Sequence, residues 1–99
     1  MTQQAAMVLV RVELFGLPRL RSGQRAVELA LPLAATRRQV VTALAQACPA
    51  LVGCGLRDDL EDLQEGYLFN RNGTAFLTGD EVRLRAGDFL LLLSSQAGG

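Results

Sequence analysis

The sequence has no histidine and no lysine among its 99 residues. Histidine is the commonest general base and the commonest metal ligand, so its absence weighs against a catalytic or zinc-binding centre. The two cysteines, Cys48 and Cys54, are spaced C-x5-C, which matches no standard zinc site. We also find no phosphate-binding loop and no nucleophile placed beside a base. We interpret both cysteines as ordinary thiols, with at least one of them in the core.

The sequence also lacks a long apolar run and a strong net charge. No apolar run approaches the roughly 20 residues of a membrane span, and the start of the chain lacks the basic region of a signal peptide. We therefore predict a cytoplasmic protein that does not bind a membrane. The formal charge is zero and aromatic residues are few, whereas nucleic-acid binding favours a basic excess and aromatic stacking platforms. We predict no nucleic-acid partner.

What the sequence does contain fits one small α+β domain over residues 1–99. Nearly half of the residues are hydrophobic, enough to form a core at this length without metal or disulfides. Residues 8–14 and 26–31 alternate with period two, which predicts two strands joined as a hairpin. The connecting residues, 15–23, contain Gly-Leu-Pro and Ser-Gly and are predicted to form a loop. The side chains predicted to face the core are Val8, Val10, Val12, Leu14, Val27, Leu29 and Leu31.

A helix of about three turns is predicted after the hairpin. Thr36 and Gln39 form a capping box, in which each side chain satisfies a backbone N–H near the helix start. Pro49 ends the helix by disfavouring helical angles at the residue before it. The apolar residues at helical spacing predict one face packed on a sheet. They are Val40, Val41, Leu44, Ala47 and Cys48.

The second half of the chain predicts a packed connection and then several short strands. Residues 57–65 contain clustered carboxylates with no evident partner, and we interpret them as a solvated turn or short helix rather than an acid–base pair. The pair Asn72-Gly73 is a strong hairpin signal between the strands predicted at 67–70 and 74–77. Val82 and Leu84 form a short apolar pair. The turn Arg85-Ala86-Gly87-Asp88 then leads to a final apolar strand.

The final strand and the residues after it are the most informative part of the sequence. Residues 89–93 are apolar, and they are followed by small residues that end in Ala97, Gly98 and Gly99. We predict that residues 94–99 form a flexible tail. Two glycines remove every Cβ near the last carboxylate, so the tail could enter a narrow tunnel in another enzyme. The alternative is a frayed end or a linker remnant.

The element order resembles the MoaD/ThiS family of sulfur-carrier proteins over nearly the whole chain from Val8. The motifs that carry the resemblance are the turn at 85–88, the hydrophobic strand after it, and the final Ala-Gly-Gly. Residues 48–51 are similar to the Pro-Ala-Leu segment that follows the helix in that family, and Asn72-Gly73 is similar to its Asn-Gly hairpin. The resemblance implies a ubiquitin-like β-grasp fold, with a mixed sheet and one main helix across one face.

The resemblance also implies a function that needs no catalytic side chain on this chain. A partner enzyme, similar to ubiquitin-activating enzymes, would use ATP to adenylate the Gly99 carboxylate. Sulfur would then displace AMP to give a thiocarboxylate, and Ala97 and Gly98 would thread the tail into the partner. A sulfur-accepting enzyme would receive the sulfur. The chain itself would bind no cofactor and no metal and would not be an enzyme.

The docking surface for these partners is predicted from the final strand. Side chains alternate along a strand, so Phe89, Leu91 and Leu93 share one face, and Leu90 and Leu92 share the other. By comparison with the family, Leu90 and Leu92 should pack beneath the helix. The other three residues should then line an open face at the root of the tail, where contiguous apolar surface is typical of a partner site.

Three functional alternatives remain open from the sequence. A ubiquitin-like modifier would use the same tail to form amide bonds with lysines of target proteins. A different sulfur-carrier branch would serve thiamin, cysteine or another sulfur metabolite rather than molybdopterin. Ser94 and Ser95 favour that view, because molybdopterin-synthase small subunits usually carry prolines there. The third alternative is a non-catalytic interaction module with an inert tail.

Overall fold

The computed structural model describes residues 7–95, which form one mixed sheet and a helical layer on one side of it. The five strands are β1 (Met7–Leu14), β2 (Ala26–Pro32), β3 (Tyr67–Arg71), β4 (Ala75–Leu77) and β5 (Phe89–Ser94). The helices are α1 (Leu17–Ser22) and α2 (Arg37–Ala47), and a 3₁₀ helix follows at Pro49–Leu51. The fold is the α+β, ubiquitin-like β-grasp arrangement that the sequence predicts.

The sheet has the order β2-β1-β5-β3-β4, which places the last strand of the chain at its centre. β5 runs parallel to β1 on one side and antiparallel to β3 on the other. The other two pairs, β1 with β2 and β3 with β4, are antiparallel hairpins. A central strand has neighbours on both edges, so the segment leading to the chain end starts from the most constrained part of the sheet.

The first hairpin places its side chains as the alternation predicts. Val10, Val12 and Leu14 of β1 are buried, and Val8 is half-buried against the same core. In β2, the predicted inward residues Val27, Leu29 and Leu31 are all buried as well. The intervening Arg11 and Glu28 lie opposite each other on the other side of the sheet.

The prediction that residues 15–23 form a loop is wrong, because they contain helix α1. Pro18 lies in the first turn, where a helix has no backbone hydrogen bond to lose. Gly23 adopts a left-handed conformation after the last turn, and its N–H donates to the Arg19 carbonyl at 2.9 Å. The proline and glycine that we interpreted as breakers are therefore the start and stop signals of a short helix.

Helix α2 begins with the predicted capping box. The Thr36 N–H donates to Gln39 Oε1 at 2.8 Å, and the Gln39 N–H donates to Thr36 Oγ1 at 3.2 Å. One residue of the predicted apolar face is wrong: Ala47 is exposed, and Ala45 is buried in its place. Ala47 lies in the last turn, where the chain is already turning towards Cys48, whose backbone is not helical.

The interpretation that the carboxylates of residues 57–65 have no partner is also wrong. Asp62 forms an ion pair with Arg37, with 2.9 Å between Oδ1 and Nε, and Glu61 forms one with Arg38 at 2.8 Å. Both arginines belong to the first turn of α2. The segment has no helix and is mostly exposed, so it does form the solvated turn that we predicted.

The core lies between the sheet and α2 and is almost entirely aliphatic. Leu90 and Leu92 of β5 are fully buried, together with Val40, Val41 and Leu44 of α2. The prediction that Leu90 and Leu92 face the helix-covered side is thereby confirmed. Within residues 7–95, no helix has the length and hydrophobicity needed to cross a membrane.

Candidate functional site

The three residues predicted to carry the chemistry, Ala97, Gly98 and Gly99, lie outside the described residues. The last described position is Ser95, whose N–H donates to the Gly66 carbonyl at 2.6 Å. The sequence predicts that the tail starts at residue 94, but Ser94 is the last residue of β5. The sheet therefore extends one residue further than we predicted, and the hydrogen bond of Ser95 holds one residue more.

The predicted docking residues lie together on the sheet face opposite α2, which we call the open face. Phe89, Leu91 and Leu93 are each half-buried, whereas the alternate residues of β5 are fully buried. Half-burial leaves part of each of these apolar side chains in contact with water. Their role in docking stays a prediction.

Neighbouring strands extend the open face beyond the residues that the sequence singled out. Leu68 of β3 lies opposite Leu93 and is half-buried. Phe76 of β4 has 57% of its surface exposed, and Phe15, which follows β1, has 38%. Sequence reasoning missed Leu68 and Phe76 because their facing depends on the registers between β3, β4 and β5, and it missed Phe15 because that residue was assigned to a loop. The open face is thus a broad apolar surface with aromatic residues at its margins.

Asn70 lies in the middle of the open face. It pairs with Leu91 of β5 on one side and with Phe76 of β4 on the other, so its side chain shares their face. The residue is only 5% exposed, and its Oδ1 atom is buried without a hydrogen-bond partner in the described part of the chain. Buried polar atoms are almost always paired, and an unpaired one typically lowers stability by about 1–3 kcal/mol. This amide therefore needs an explanation.

The two turn motifs that carry the family resemblance contact each other in the fold. The Asn72 side chain donates to Asp88 at 2.9 Å and accepts from the Phe89 N–H at 2.9 Å. The other Asp88 oxygen accepts from the Arg85 N–H at 2.8 Å. Asn72 has a positive φ of 60°, which asparagine tolerates better than most residues. The network fixes the start of β5, at the end of the strand far from the tail.

Electrostatics at this network favour the ionised form of Asp88. The hydrogen bond from Asn72 holds the pKa of the Asp88 carboxyl below its usual value, with smaller contributions from the Arg85 N–H and the nearby charges of Arg71 and Arg85. Partial burial opposes the shift. The carboxylate acts as a structural acceptor here, since both of its oxygens are already occupied by the turn.

No alternative chemical centre emerges from residues 7–95. Cys48 and Cys54 are both buried and free, in agreement with the interpretation as ordinary thiols. In this part of the chain, no cluster of acidic residues, histidines or cysteines could hold a metal ion. Gln24 Nε2 donates a long hydrogen bond to Cys48 Sγ at 3.9 Å. The open face is therefore the strongest candidate site in the described structure.

Comparisons with known proteins identify similar structures. No protein-family model matches the chain, and no curated protein matches it. The crystal structure of SAMP1 from Haloferax volcanii, however, is 31% identical, with a TM-score of 0.72 over 92% of this chain and 99% of that one. A second crystal structure of H. volcanii small archaeal modifier protein 1 is 30% identical, with a TM-score of 0.69 over 86% and 94% of the two chains.

A third solved structure supports the fold alone. The solution structure of small archaeal modifier protein 1 from Methanosarcina acetivorans is 24% identical, with a TM-score of 0.73. The match covers 96% of this chain and all of that one. All three similarities extend over nearly the full length of both chains, so the whole β-grasp unit is shared rather than one hairpin.

Proposed function

Because the chain belongs to the ubiquitin-like β-grasp family of small archaeal modifier proteins, we propose that it is a carrier whose Gly99 carboxylate is activated by a partner enzyme. In this proposal the chain is the substrate of an ATP-dependent adenylating enzyme and not a catalyst. The activated tail takes up sulfur and delivers it to a sulfur-accepting enzyme. The chain binds no cofactor of its own, and the partner uses ATP.

The proposed chemistry takes place in two steps at the Gly99 carboxyl group. An oxygen of the Gly99 carboxylate attacks the α-phosphorus of ATP, and pyrophosphate leaves with its electron pair. The resulting acyl-adenylate has AMP as a good leaving group. Sulfur at the oxidation level of hydrosulfide, HS⁻, then attacks the carbonyl carbon. The bond to AMP breaks, and a thiocarboxylate forms. Gly98 and Gly99 suit this role because they have no Cβ to obstruct a narrow enzyme tunnel.

The observation that carries the proposal is the 31% identity to a small archaeal modifier protein over nearly the entire length of both chains. The position of β5 supports it. The strand that precedes the tail is the central strand of the sheet and is held on both sides, up to the hydrogen bond of Ser95. A partner that recognises the sheet therefore meets the tail at a fixed starting point.

The open face is the proposed docking surface for the adenylating enzyme. Phe89, Leu91 and Leu93 lie on the strand that leads to the tail, and their half-exposed side chains can be buried by a partner. Burial of apolar surface contributes about 25 cal/mol per Å², so a few such residues can supply most of a moderate affinity.

Mass spectrometry of the intact protein tests the proposal. The chain is co-expressed with the adenylating enzyme of its own genome, purified and weighed. We expect a species heavier by the difference between sulfur and oxygen, located at Gly99 by fragmentation. An unchanged mass in the presence of an enzyme that activates other carriers would contradict the proposal. The identity of the sulfur acceptor, in molybdopterin, thiamin or cysteine synthesis, would follow from the acceptor that removes the sulfur.

A second candidate function is protein modification, which the names of the similar structures favour. The same acyl-adenylate would then be attacked by a lysine amine of a target protein, with release of AMP. This chain has no lysine, so its own side chains offer no amine to a second copy of the chain. Because Arg85 is the last site at which trypsin can cut, a remnant of residues 86–99 on lysines of other proteins would identify this function in place of sulfur transfer.

A further inference from the structure

The arginines of this chain differ in whether a carboxylate lies within ion-pair distance. Arg37, Arg38, Arg57 and Arg83 each form an ion pair with a carboxylate. In contrast, no carboxylate lies within ion-pair distance of three arginines around helix α1 in the described part of the chain. These are Arg19, Arg21 and Arg25. Arg71 and Arg85 also have no ion pair in this part of the chain, but both lie near the charge of Asp88, so the region around α1 carries a local excess of positive charge.

Two of these unpaired arginines line a pocket that borders the open face. Arg19, Arg25 and Arg11 surround a pocket of about 140 Å³, together with Glu13 and Phe15. Its acidic residue, Glu13, is already engaged by Arg11, with 3.6 Å between Nε and Oε2. Three guanidinium groups thus share one carboxylate. The third unpaired arginine, Arg21, does not line the pocket.

The pocket is continuous with the open face through the pairing of β1 and β5. Arg11 lies opposite Phe89, and Glu13 lies opposite Leu91. A protein that covers these two apolar side chains therefore reaches the rim of the arginine-lined pocket. The charge and the apolar surface can be used by a single partner.

Asn70 provides a second, independent indication that this face is completed by a partner. Its Oδ1 atom is buried without a hydrogen bond, between Leu91 and Phe76. A leucine in its place would remove the unpaired atom and add apolar contact. An unpaired buried acceptor in the middle of an apolar surface is explained if a donor from a bound protein reaches the amide after a side-chain rotation.

We propose that the arginine-lined pocket and the open face form one docking surface, which binds a protein that presents a carboxylate beside apolar side chains and a hydrogen-bond donor for Asn70. This inference rests on the proposed function and specifies the surface of the activating enzyme. The carboxylate enters between Arg19 and Arg25, and the apolar side chains cover Phe89 and Leu91. Opposite charges on the two proteins at the rim of the interface raise the association rate and fix how the proteins are positioned against each other.

The composition of the pocket favours a protein carboxylate over a nucleic acid. Glu13 would repel the closely spaced phosphates of a nucleic acid, and the formal charge of the chain is zero, without the basic excess that nucleic-acid binding favours. A single carboxylate next to apolar residues matches both parts of the surface.

Charge reversal tests the pocket, and the chain contains a matched control. Arg19→Glu and Arg21→Glu change the same residue type in the same turn-and-a-half helix, and neither side chain has an ion pair to lose. ATP–pyrophosphate exchange is measured with the adenylating enzyme while the concentration of carrier is varied. We expect Arg19→Glu to raise KM for the carrier by at least about tenfold, with kcat retained, and Arg21→Glu to change KM by less than about twofold.

The salt dependence provides a second readout. The KM of the wild type should rise with ionic strength, and that of Arg19→Glu should rise much less, since screening acts on a favourable charge pair that the variant lacks. Equal KM values and equal salt dependence for Arg19→Glu and Arg21→Glu would overturn the proposal.

Asn70→Leu tests the centre of the surface. We expect the variant to unfold at a higher denaturant concentration than the wild type, because an unpaired buried acceptor is removed. Its KM should nevertheless rise by about fivefold, since the donor on the partner then faces a methyl group. An unchanged KM would show that Asn70 is not part of the docking surface.

The outcomes separate this inference from the proposed function. If the wild type supports exchange but Arg19→Glu behaves like Arg21→Glu, the inference fails and the carrier function stands. If the wild type supports no exchange with an enzyme that is active on another carrier, the carrier function fails and the inference fails with it.

Discussion

The two faces of the sheet use the same kind of side chain for different purposes. On the face covered by α2, Leu90 and Leu92 have no exposed surface and pack into the aliphatic core. On the open face, Leu91 and Leu93 of the same strand remain half-buried, and Leu91 lies opposite Asn70, whose Oδ1 atom is buried and unpaired in the described part of the chain. Packing on the covered face stabilises the domain, whereas the open face, as described, leaves apolar side chains partly exposed and the Asn70 Oδ1 atom without a hydrogen bond. We infer that stability and recognition are divided between alternate residues of one central strand.

The largest effects are expected when neighbouring residues of β5, one on each face of the sheet, are replaced with aspartate. Leu92→Asp should destabilise the fold by more than about 4 kcal/mol, because an unpaired carboxylate would be buried in the core. Such a loss is close to the whole stability of a small domain, so we expect an unfolded protein. Leu91→Asp should retain cooperative unfolding, since the new charge can reach water, and should weaken docking to the adenylating enzyme.

Circular dichroism during denaturant titration checks folding, and the KM for the carrier checks docking. Leu90→Asp serves as a second covered-face variant and should behave like Leu92→Asp. If Leu91→Asp unfolds the protein and Leu92→Asp does not, the assignment of the two faces is wrong.

The N-cap of α2 allows stability to be changed without altering the open face, since this helix covers only the opposite face of the sheet. Thr36→Ala should lower the free energy of unfolding by about 1 kcal/mol, the usual effect of losing an N-cap. Thr42→Ala, in the middle of the same helix, should cause a smaller change because alanine favours helix. Both variants should transfer sulfur normally when folded. Coincident denaturant midpoints for Thr36→Ala and the wild type would show that the capping box contributes no stability.

The ionised Asp88 predicts a specific dependence of stability on pH. Its pKa in the folded state is lowered, chiefly by the hydrogen bond from Asn72, so the folded state favours the carboxylate. The stabilisation is therefore present above the pKa of the unfolded chain, about 3.9, and is lost as the pH falls through the lower folded-state value.

Denaturant midpoints of the wild type and Asp88→Ala, measured from about pH 6 down to about pH 3, check this contribution. The wild type should be the more stable protein at the upper end, and the difference between the two should shrink towards the lower end. A difference that stays constant with pH would contradict the role assigned to the carboxylate.

Local patterns allowed most of this fold to be predicted. Alternation of apolar residues was sufficient for the two faces of β1, and the capping box was sufficient for the start of α2. In β5, which is apolar at every position from 89 to 93, the comparison with the family was needed to decide which face is covered. Helix α1 was missed because Pro18 and Gly23 act as breakers or as helix boundaries depending on whether the six residues Leu17–Ser22 can pack as a helix. Sequence position alone does not distinguish the two cases.

The parts of the candidate site that sequence reasoning missed all depend on contacts between distant segments. Asp62 meets Arg37 across 25 residues, and Asn72 meets Asp88 across 16. In the sequence, Asn70 looks like an ordinary strand residue. The registers of β3 with β4 and β5 show that it lies inside an apolar surface. Registers between strands follow from the packing of the whole domain, so no local motif contained this information.

Shortening or extending the chain by one residue tests directly whether the Gly99 carboxylate is the group that the partner enzyme activates. A chain that ends at Gly98, and a chain with one residue added after Gly99, are compared with the wild type in ATP–pyrophosphate exchange and in denaturant unfolding. We expect both variants to lose exchange completely while their unfolding midpoints match that of the wild type, because activation requires the Gly99 carboxylate and the fold does not. Full exchange activity from the chain that ends at Gly98 would contradict the account.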